Sequence, residues 1–351
     1  MNPRSTQTYR EIMNQPDSWA QTVAAVTGNA LPLTRLVDNR EELVCIGCGS
    51  SYYLSTAAAG LWEAATGLPA RAYPAGSLLL TPEEVLHPGR RTLVVGFSRS
   101  GETTETVQAL EMARRRFGAT AVAVTCHRGG AMVAHADAAI ELPWADDSSI
   151  VMTQSFTNML LGMQAWSAAV GDFPATGDEL TALPRLAREG LPAWDRLAET
   201  LAADRTWSSA VFFGTGAYYG LANEAALKLK ETSQAPAEAY HPLEFRHGPI
   251  STVTSGLLAI LFARDRAAAE ADVLADVAAR GARVLRVGTT GADIALAQGT
   301  DLGDWARAAL YLPFPQLLAV HRSSVLGLDP DRPRNLSRVV HLQDAELNGR
   351  R

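Results

Sequence analysis

Near-continuous apolar runs alternate with amphipathic stretches along the first half of the chain. Leu43 to Gly47, Thr92 to Phe97, Ala119 to Cys126 and Ala138 to Leu142 read as buried strands. Between them, apolar positions at helical spacing predict helices from about Tyr52 to Ala65 and from about Thr103 to Phe117. Strand and helix in this alternation predict a parallel sheet covered on both faces.

The second half starts over. Val44-Cys-Ile-Gly47-Cys-Gly49-Ser-Ser-Tyr52 recurs as Val211-Phe-Phe-Gly214-Thr-Gly216-Ala-Tyr-Tyr219, with Val, both Gly and Tyr in register. A helix from about Tyr218 to Thr232, a strand Leu257 to Phe262, a helix Ala267 to Arg280 and a strand Val284 to Gly288 follow. Two copies of one α/β unit account for this better than one large sheet, and 351 residues suit two domains of about 150 each. The expected organisation is an N-terminal helical segment over 1–30, a first domain over 31–170, helices joining the halves over 171–203, a second domain over 204–330 and an irregular tail over 331–351.

Composition narrows the functional classes. Apolar residues form 47% of the chain and charged residues 19%, enough for ordinary globular cores. A net charge of -6 argues against a nucleic-acid partner, because such proteins carry a basic face. Three cysteines, Cys45, Cys48 and Cys126, are too few for a disulfide framework. The opening residues lack a signal-like apolar stretch, and no run of 18 uncharged apolar residues occurs, so the expectation is a cytoplasmic protein without a membrane partner. Lys228 and Lys230 are the two lysines among 31 basic residues, the rest being arginine. An ammonium kept there supplies a compact donor with an adjustable pKa, which a guanidinium does not.

The densest chemistry lies in Gly96-Phe-Ser98-Arg-Ser100-Gly101-Glu102-Thr103-Thr104, where a strand gives way to a helix. Backbone N–H groups, the positive end of the helix dipole and the hydroxyls of Ser98, Ser100 and Thr103 make an anion site there. The loop Gly47-Cys-Gly49-Ser50-Ser51 is of the same type, although turn formation and helix capping explain it equally well. A dinucleotide fingerprint is incomplete, since Tyr52 replaces the third glycine and Arg71 stands where an acidic ribose ligand belongs. No cofactor is expected. No histidine pair has metal-ligand spacing on a helix, so no metal is expected either. In the second copy Glu224, Lys228 and Glu231 sit on one helix, and a loop downstream holds His241 and His247, the latter before Gly248-Pro249. A carboxylate with an imidazole can move a proton between adjacent carbons and open a sugar ring; His241 reads more readily as a structural hydrogen-bonding group.

Taken together, Gly47-Cys-Gly-Ser-Ser51, Ser98-Arg-Ser-Gly-Glu-Thr103, Glu224-Ala-Ala-Leu-Lys-Leu-Lys-Glu231, Ala237-Glu-Ala-Tyr240, Arg246-His-Gly-Pro249 and Pro333-Arg-Asn-Leu336 resemble the sugar isomerase (SIS) domain family, in particular the isomerase half of glucosamine-6-phosphate synthases. The opening Glu11-Ile-Met-Asn-Gln-Pro16 fits as well. The resemblance implies two tandem SIS domains, each a flavodoxin-like three-layer sandwich. It implies that Ser51, Ser98, Ser100 and Thr103 hold the phosphate of a sugar, with Gly49, Ser50, Thr153 and Arg338 as further contacts. Glu231 would shuttle the proton between C1 and C2, Lys228 would hydrogen-bond the open-chain sugar and His247 would assist ring opening. In the family the histidine loop can reach a neighbouring subunit, which implies a homodimer.

Three departures bear on the reaction. No N-terminal cysteine nucleophile is present, so use of glutamine is not expected. Arg338 stands where the synthases carry a Schiff-base lysine, and a guanidinium cannot form one. Ser149-Ile-Val-Met-Thr153-Gln-Ser155 lacks the synthase lysine and is more like stand-alone deaminases and ketose/aldose isomerases. The sequence thus points to an isomerase/deaminase of glucosamine 6-phosphate or galactosamine 6-phosphate. A fructosamine-phosphate deglycase and a sugar-phosphate sensor without turnover are the alternatives.

Overall fold

A computed structural model describes residues 2–171, 174–265, 268–289, 291–296, 300–340 and 342. Met1, residues 172–173 of the expected joining segment, Ala267 at the expected helix start, and residues 341 and 343–351 of the tail lie outside the described residues. The chain divides into two compact units. The first-sheet unit gathers Ser18–Asp146, Gln154–Asp178 and Ser337–Arg351; the second-sheet unit gathers Met1–Asp17, Asp147–Thr153 and Glu179–Leu336.

The first-sheet unit holds β1 (Glu42–Gly47), β2 (Ala70–Pro74), β3 (Thr92–Phe97), β4 (Thr120–Thr125) and β5 (Ala138–Glu141), all parallel in the order β2-β1-β3-β4-β5. Every residue of β1 and β3 is buried, which is why these strands read as apolar runs rather than alternating ones. Val44, Ile46 and Val94 pack with Leu110 and Ala113 of the helix Thr104–Phe117. That helix starts with Glu105 and ends with Arg114, Arg115 and Arg116 before Gly118 in the left-handed conformation, charges and stop signal both matching its dipole.

The second-sheet unit repeats the plan with β6 (Ser209–Phe213), β7 (Ala237–Tyr240), β8 (Leu257–Phe262), β9 (Arg283–Gly288) and β10 (Ile294–Ala295), again parallel, in the order β7-β6-β8-β9-β10. The two tandem α/β domains read from the sequence are therefore a repeat of structure. The glycines show why the motif recurs. Gly49 and Gly216 take the same unusual backbone, φ 55 ψ -124 and φ 61 ψ -127. A Cβ on Gly47 would lie 2.5 Å from the Ser51 backbone, and one on Gly214 2.2 Å from the Tyr218 carbonyl oxygen. Each pair lets a strand turn at once into a helix, Ser50–Thr66 in one copy and Ala217–Ser233 in the other.

Some elements differ from the sequence reading. The joining region forms one helix, Pro174–Ala203, with Pro184 and Pro192 inside it. Each proline removes a backbone hydrogen bond at about 3 kcal/mol, yet Leu180, Leu183, Leu186, Ala187, Leu191, Trp194, Ala198 and Leu201 keep a buried stripe running past both. Strands β2, β7 and β10 are short and lie at or next to sheet edges. A helix Pro313–Val325 precedes the tail, which from Gly327 to Val340 has neither helix nor strand.

Candidate active site

In the first-sheet unit β1 and β3 are neighbours, so the loops at their carboxyl ends emerge together at the point where the strand order reverses. In the loop after β3, the Ser98 hydroxyl lies 2.9 Å from the Thr103 hydroxyl and 3.4 Å from that of Ser100. The Gly101 N–H donates to Ser98 Oγ at 3.1 Å and the Glu102 N–H to Ser100 Oγ at 3.2 Å. Thr103 occupies the cap position of the following helix without making a side-chain cap bond. Capping therefore does not account for its hydroxyl, and the three hydroxyls form a cluster centred on Ser98 beside a helix start, where backbone N–H groups and the helix dipole favour negative charge. Glu102 turns its carboxylate away, accepting from the Ala131 N–H at 2.8 Å. In the loop after β1, Gly49 precedes Ser50 and Ser51, both buried at the first turn of the helix.

Arg338 belongs to the same unit, where its guanidinium pairs with Asp146 and its carbonyl accepts from Arg99 Nη2 at 3.0 Å. Among the described residues the loop after β8 in the second copy shows no equivalent hydroxyl cluster. After β8 comes Asp265, which accepts from the fully buried guanidinium of Arg307 at 2.6 Å.

The second-sheet unit instead carries charge inside its helix Ala217–Ser233. Lys228 is 1% exposed, and its Nζ lies 3.2 Å from Glu224 and 2.5 Å from Glu231. Glu224, on the same helix at i,i+4 spacing to Lys228, has no role in the sequence reading and joins the cluster through that lysine. Burial alone would lower the lysine pKa, but the charges and hydrogen bonds of Glu224 and Glu231 outweigh it and hold the ammonium above its ordinary value. Two carboxylates share one ammonium, so one of them can take up a proton and release it again while the other keeps the ion pair. Glu224 is fully buried, whereas Glu231 opens onto a cavity of about 460 Å³ lined also by Lys230, Gln234, Arg334, Asn335 and Leu336.

Thr153 lies in the same unit, with its N–H and hydroxyl bound to Asp147 at 3.0 and 2.7 Å. His241 stacks on Tyr219 with ring centroids 4.1 Å apart. His247 is exposed on its loop, its backbone N–H donating to the Glu244 carbonyl, and among the described residues of its unit no hydrogen bond joins its ring to the lysine cluster. Among the described residues no three His, Cys, Asp or Glu side chains are grouped to hold a metal, and no helix is long and apolar enough to cross a membrane.

The SIS domain pattern matches residues 36–167 and 205–303. Over 349 residues the chain is 28% identical to the isomerizing glutamine–fructose-6-phosphate aminotransferase of Methanothermobacter thermautotrophicus, covering 95% of this chain and 57% of that protein. The enzyme of the same name from Pyrobaculum aerophilum is 31% identical, with 95% and 57% covered, so the chain spans little more than half the length of these curated relatives. Among solved structures, glucosamine-6-phosphate deaminase from Thermotoga maritima superposes with a TM-score of 0.85 at 26% identity, covering 96% of this chain and 100% of that one. Tagatose-6-phosphate ketose/aldose isomerase from Escherichia coli gives 0.85 at 25% identity, covering 98% and 99%.

Proposed function

Because the chain belongs to the SIS domain family, we propose that it is an enzyme that isomerises a hexosamine 6-phosphate, glucosamine or galactosamine, and releases the 2-amino group as ammonia. Ser98, Ser100 and Thr103, with Ser51, take the phosphate through hydroxyl and backbone donors. Glu231 removes the proton from C2 of the open-chain amino aldose and delivers a proton to C1. The resulting 2-imine adds water and expels ammonia, leaving the ketose phosphate. Lys228 orients Glu231 and donates to the open-chain sugar, and His247 assists ring opening from a neighbouring subunit. A cytoplasmic homodimer goes with this reading.

The observation that carries it is the Lys228 cluster. Desolvating an ammonium and two carboxylates is expensive, and a protein that only bound a sugar phosphate would gain nothing from it. A base held beside a fixed cation is what proton transfer between adjacent carbons requires. The Thermotoga deaminase, matched along its whole length, supports the choice of ammonia release. Arg338 adds to it, since a guanidinium forms no Schiff base with a ketose.

The test offers purified protein glucosamine 6-phosphate and galactosamine 6-phosphate in turn. Ammonia and ketose phosphate should form in equal amounts from one of them. Binding of both sugars without ammonia from either would contradict the reading.

One observation favours a second reading. The cavity beside Glu231 carries Lys230 and Arg334 with the amides Gln234 and Asn335, a lining suited to a carboxylate. A fructosamine phosphate, whose amine bears an amino acid, would place its carboxylate in such a cavity and undergo the same proton transfer. Release of an amino acid rather than ammonia identifies this case.

A further inference from the structure

Within the second-sheet unit one short loop, 147–153, is surrounded by buried polar side chains. Glu11, on the helix Gln7–Met13, accepts from the Ser148 N–H at 2.6 Å and the Ser149 N–H at 3.1 Å, and its other oxygen accepts from the Ser149 hydroxyl. Gln7 Nε2 donates to the first oxygen at 3.1 Å. Asp147 closes the loop on itself by accepting from the N–H and hydroxyl of Thr153. At the far end, Gln316 Nε2 donates to the Thr153 carbonyl at 3.3 Å, while its oxygen accepts from Gln15 Nε2 at 2.9 Å. Glu11, Gln15, Asp147, Ser149, Thr153 and Gln316 are all buried.

Such a network is costly to assemble unless every member is satisfied, and apolar side chains would hold a helix to a core more cheaply. Burial and the neighbouring charge of Asp147 push the Glu11 carboxyl above its ordinary value, against the hydrogen bonds from Ser149 and Gln7. Helix packing is served by Ile12, so Glu11 is not needed for it. What these groups share is the loop backbone, along which Ser148 is exposed and Ile150 and Met152 are half-buried while Ser149, Val151 and Thr153 are buried.

We propose that Glu11 and Gln316 are positioning residues that fix the backbone of the loop 148–152 so that it presents an ordered edge to the sugar. This rests on the reading that Thr153 and its loop face the substrate. Neither residue touches the reacting carbons; each acts by holding the loop, as outer partners of a site commonly do.

The experiment compares wild type, Glu11→Gln, Gln316→Leu, Ser149→Ala and the double variant Glu11→Gln/Ser149→Ala. Turnover of the hexosamine phosphates and inhibition by inorganic phosphate are measured, with amide exchange in peptides covering 147–153. Glu11→Gln should lower kcat/KM by about 10- to 100-fold, leave inhibition by phosphate unchanged and raise exchange in the loop. The double variant should lose less than the two single losses combined, because both changes remove the Ser149 hydroxyl's bond to Glu11 and only Ser149→Ala also removes its bond to the Val151 carbonyl. Glu11→Gln with a lowered Tm but unchanged kcat/KM makes the residue structural and overturns the inference. If wild type turns over neither sugar, the proposed reaction fails, and loop exchange decides separately: exchange in Glu11→Gln equal to wild type overturns the positioning role.

Discussion

Lys228 Nζ and Glu231 Oε2 lie 2.5 Å apart, one helical turn from each other, with the lysine enclosed and the glutamate opening to a cavity. An i,i+3 pair on a solvated helix face contributes a few tenths of a kcal/mol. Enclosure changes its meaning, since removing the cation leaves Glu224 and Glu231 uncompensated. Lys228→Met should therefore destabilise the protein by about 3–5 kcal/mol, read from urea unfolding. The folded pKa of Lys228 lies above its unfolded value of 10.5, so its stabilisation is complete below that pH and is lost as pH rises through the folded value. Wild type should lose Tm above pH 10.5 more steeply than Lys228→Met.

The hydroxyl cluster around Ser98 makes a prediction of a different kind. Ser98→Ala removes the oxygen shared by the Thr103 hydroxyl, the Ser100 hydroxyl and the Gly101 N–H. KM for the sugar phosphate should rise about 10-fold with a smaller effect on kcat, as expected for uniform binding. Inorganic phosphate should weaken as an inhibitor in parallel. An unchanged KM would remove Ser98 from the phosphate site.

In the proposed reaction His247 acts across subunits, and complementation tests it. Neither His247→Asn nor Glu231→Gln should turn over substrate at an appreciable rate. Co-refolded in equal amounts, they should recover about a quarter of wild-type activity, because half the dimers would then hold one intact site of two. No recovery would place the histidine in its own subunit's site or outside any site.

Asp195 accepts from His321 Nε2 at 2.6 Å and from Arg4 Nη2 at 2.8 Å. Burial works to raise its pKa, but the bonds from His321 and Arg4 prevail and hold it below the ordinary 3.8. A depressed carboxylate stabilises above its unfolded value and loses that contribution as pH falls through the folded one. Wild type should show a drop in Tm below pH 3.8 that Asp195→Asn lacks. Equal acid profiles would show that the pair contributes nothing to stability.

Much of the fold was legible because the two copies share strict backbone demands. Gly47, Gly49, Gly214 and Gly216 are fixed by turn geometry, and the central strands are buried on both faces, so their apolar runs stand out. Strands β2 and β7 escaped notice because Ala70–Pro74 and Ala237–Tyr240 are half-exposed and carry no apolar run. The helix Gln154–Val170 is buried over Gln154–Ser167 and so shows no amphipathic stripe to read. At the site, Ser98, Ser100, Thr103, Lys228 and Glu231 could be named from local motifs. Glu11 and Gln316 could not be assigned to the loop 147–153, because only the folded chain brings them there.

The most direct measurement of the central claim is hydrogen exchange at the sugar carbons, followed by NMR in heavy water with glucosamine 6-phosphate and galactosamine 6-phosphate. Wild type should remove the C2 proton of one of them and deliver that proton or solvent deuterium to C1 of the ketose phosphate, and Glu231→Gln should reduce that rate by at least about 100-fold. Deuterium appearing at C1 equally fast with Glu231→Gln would show that Glu231 is not the base and contradict the account.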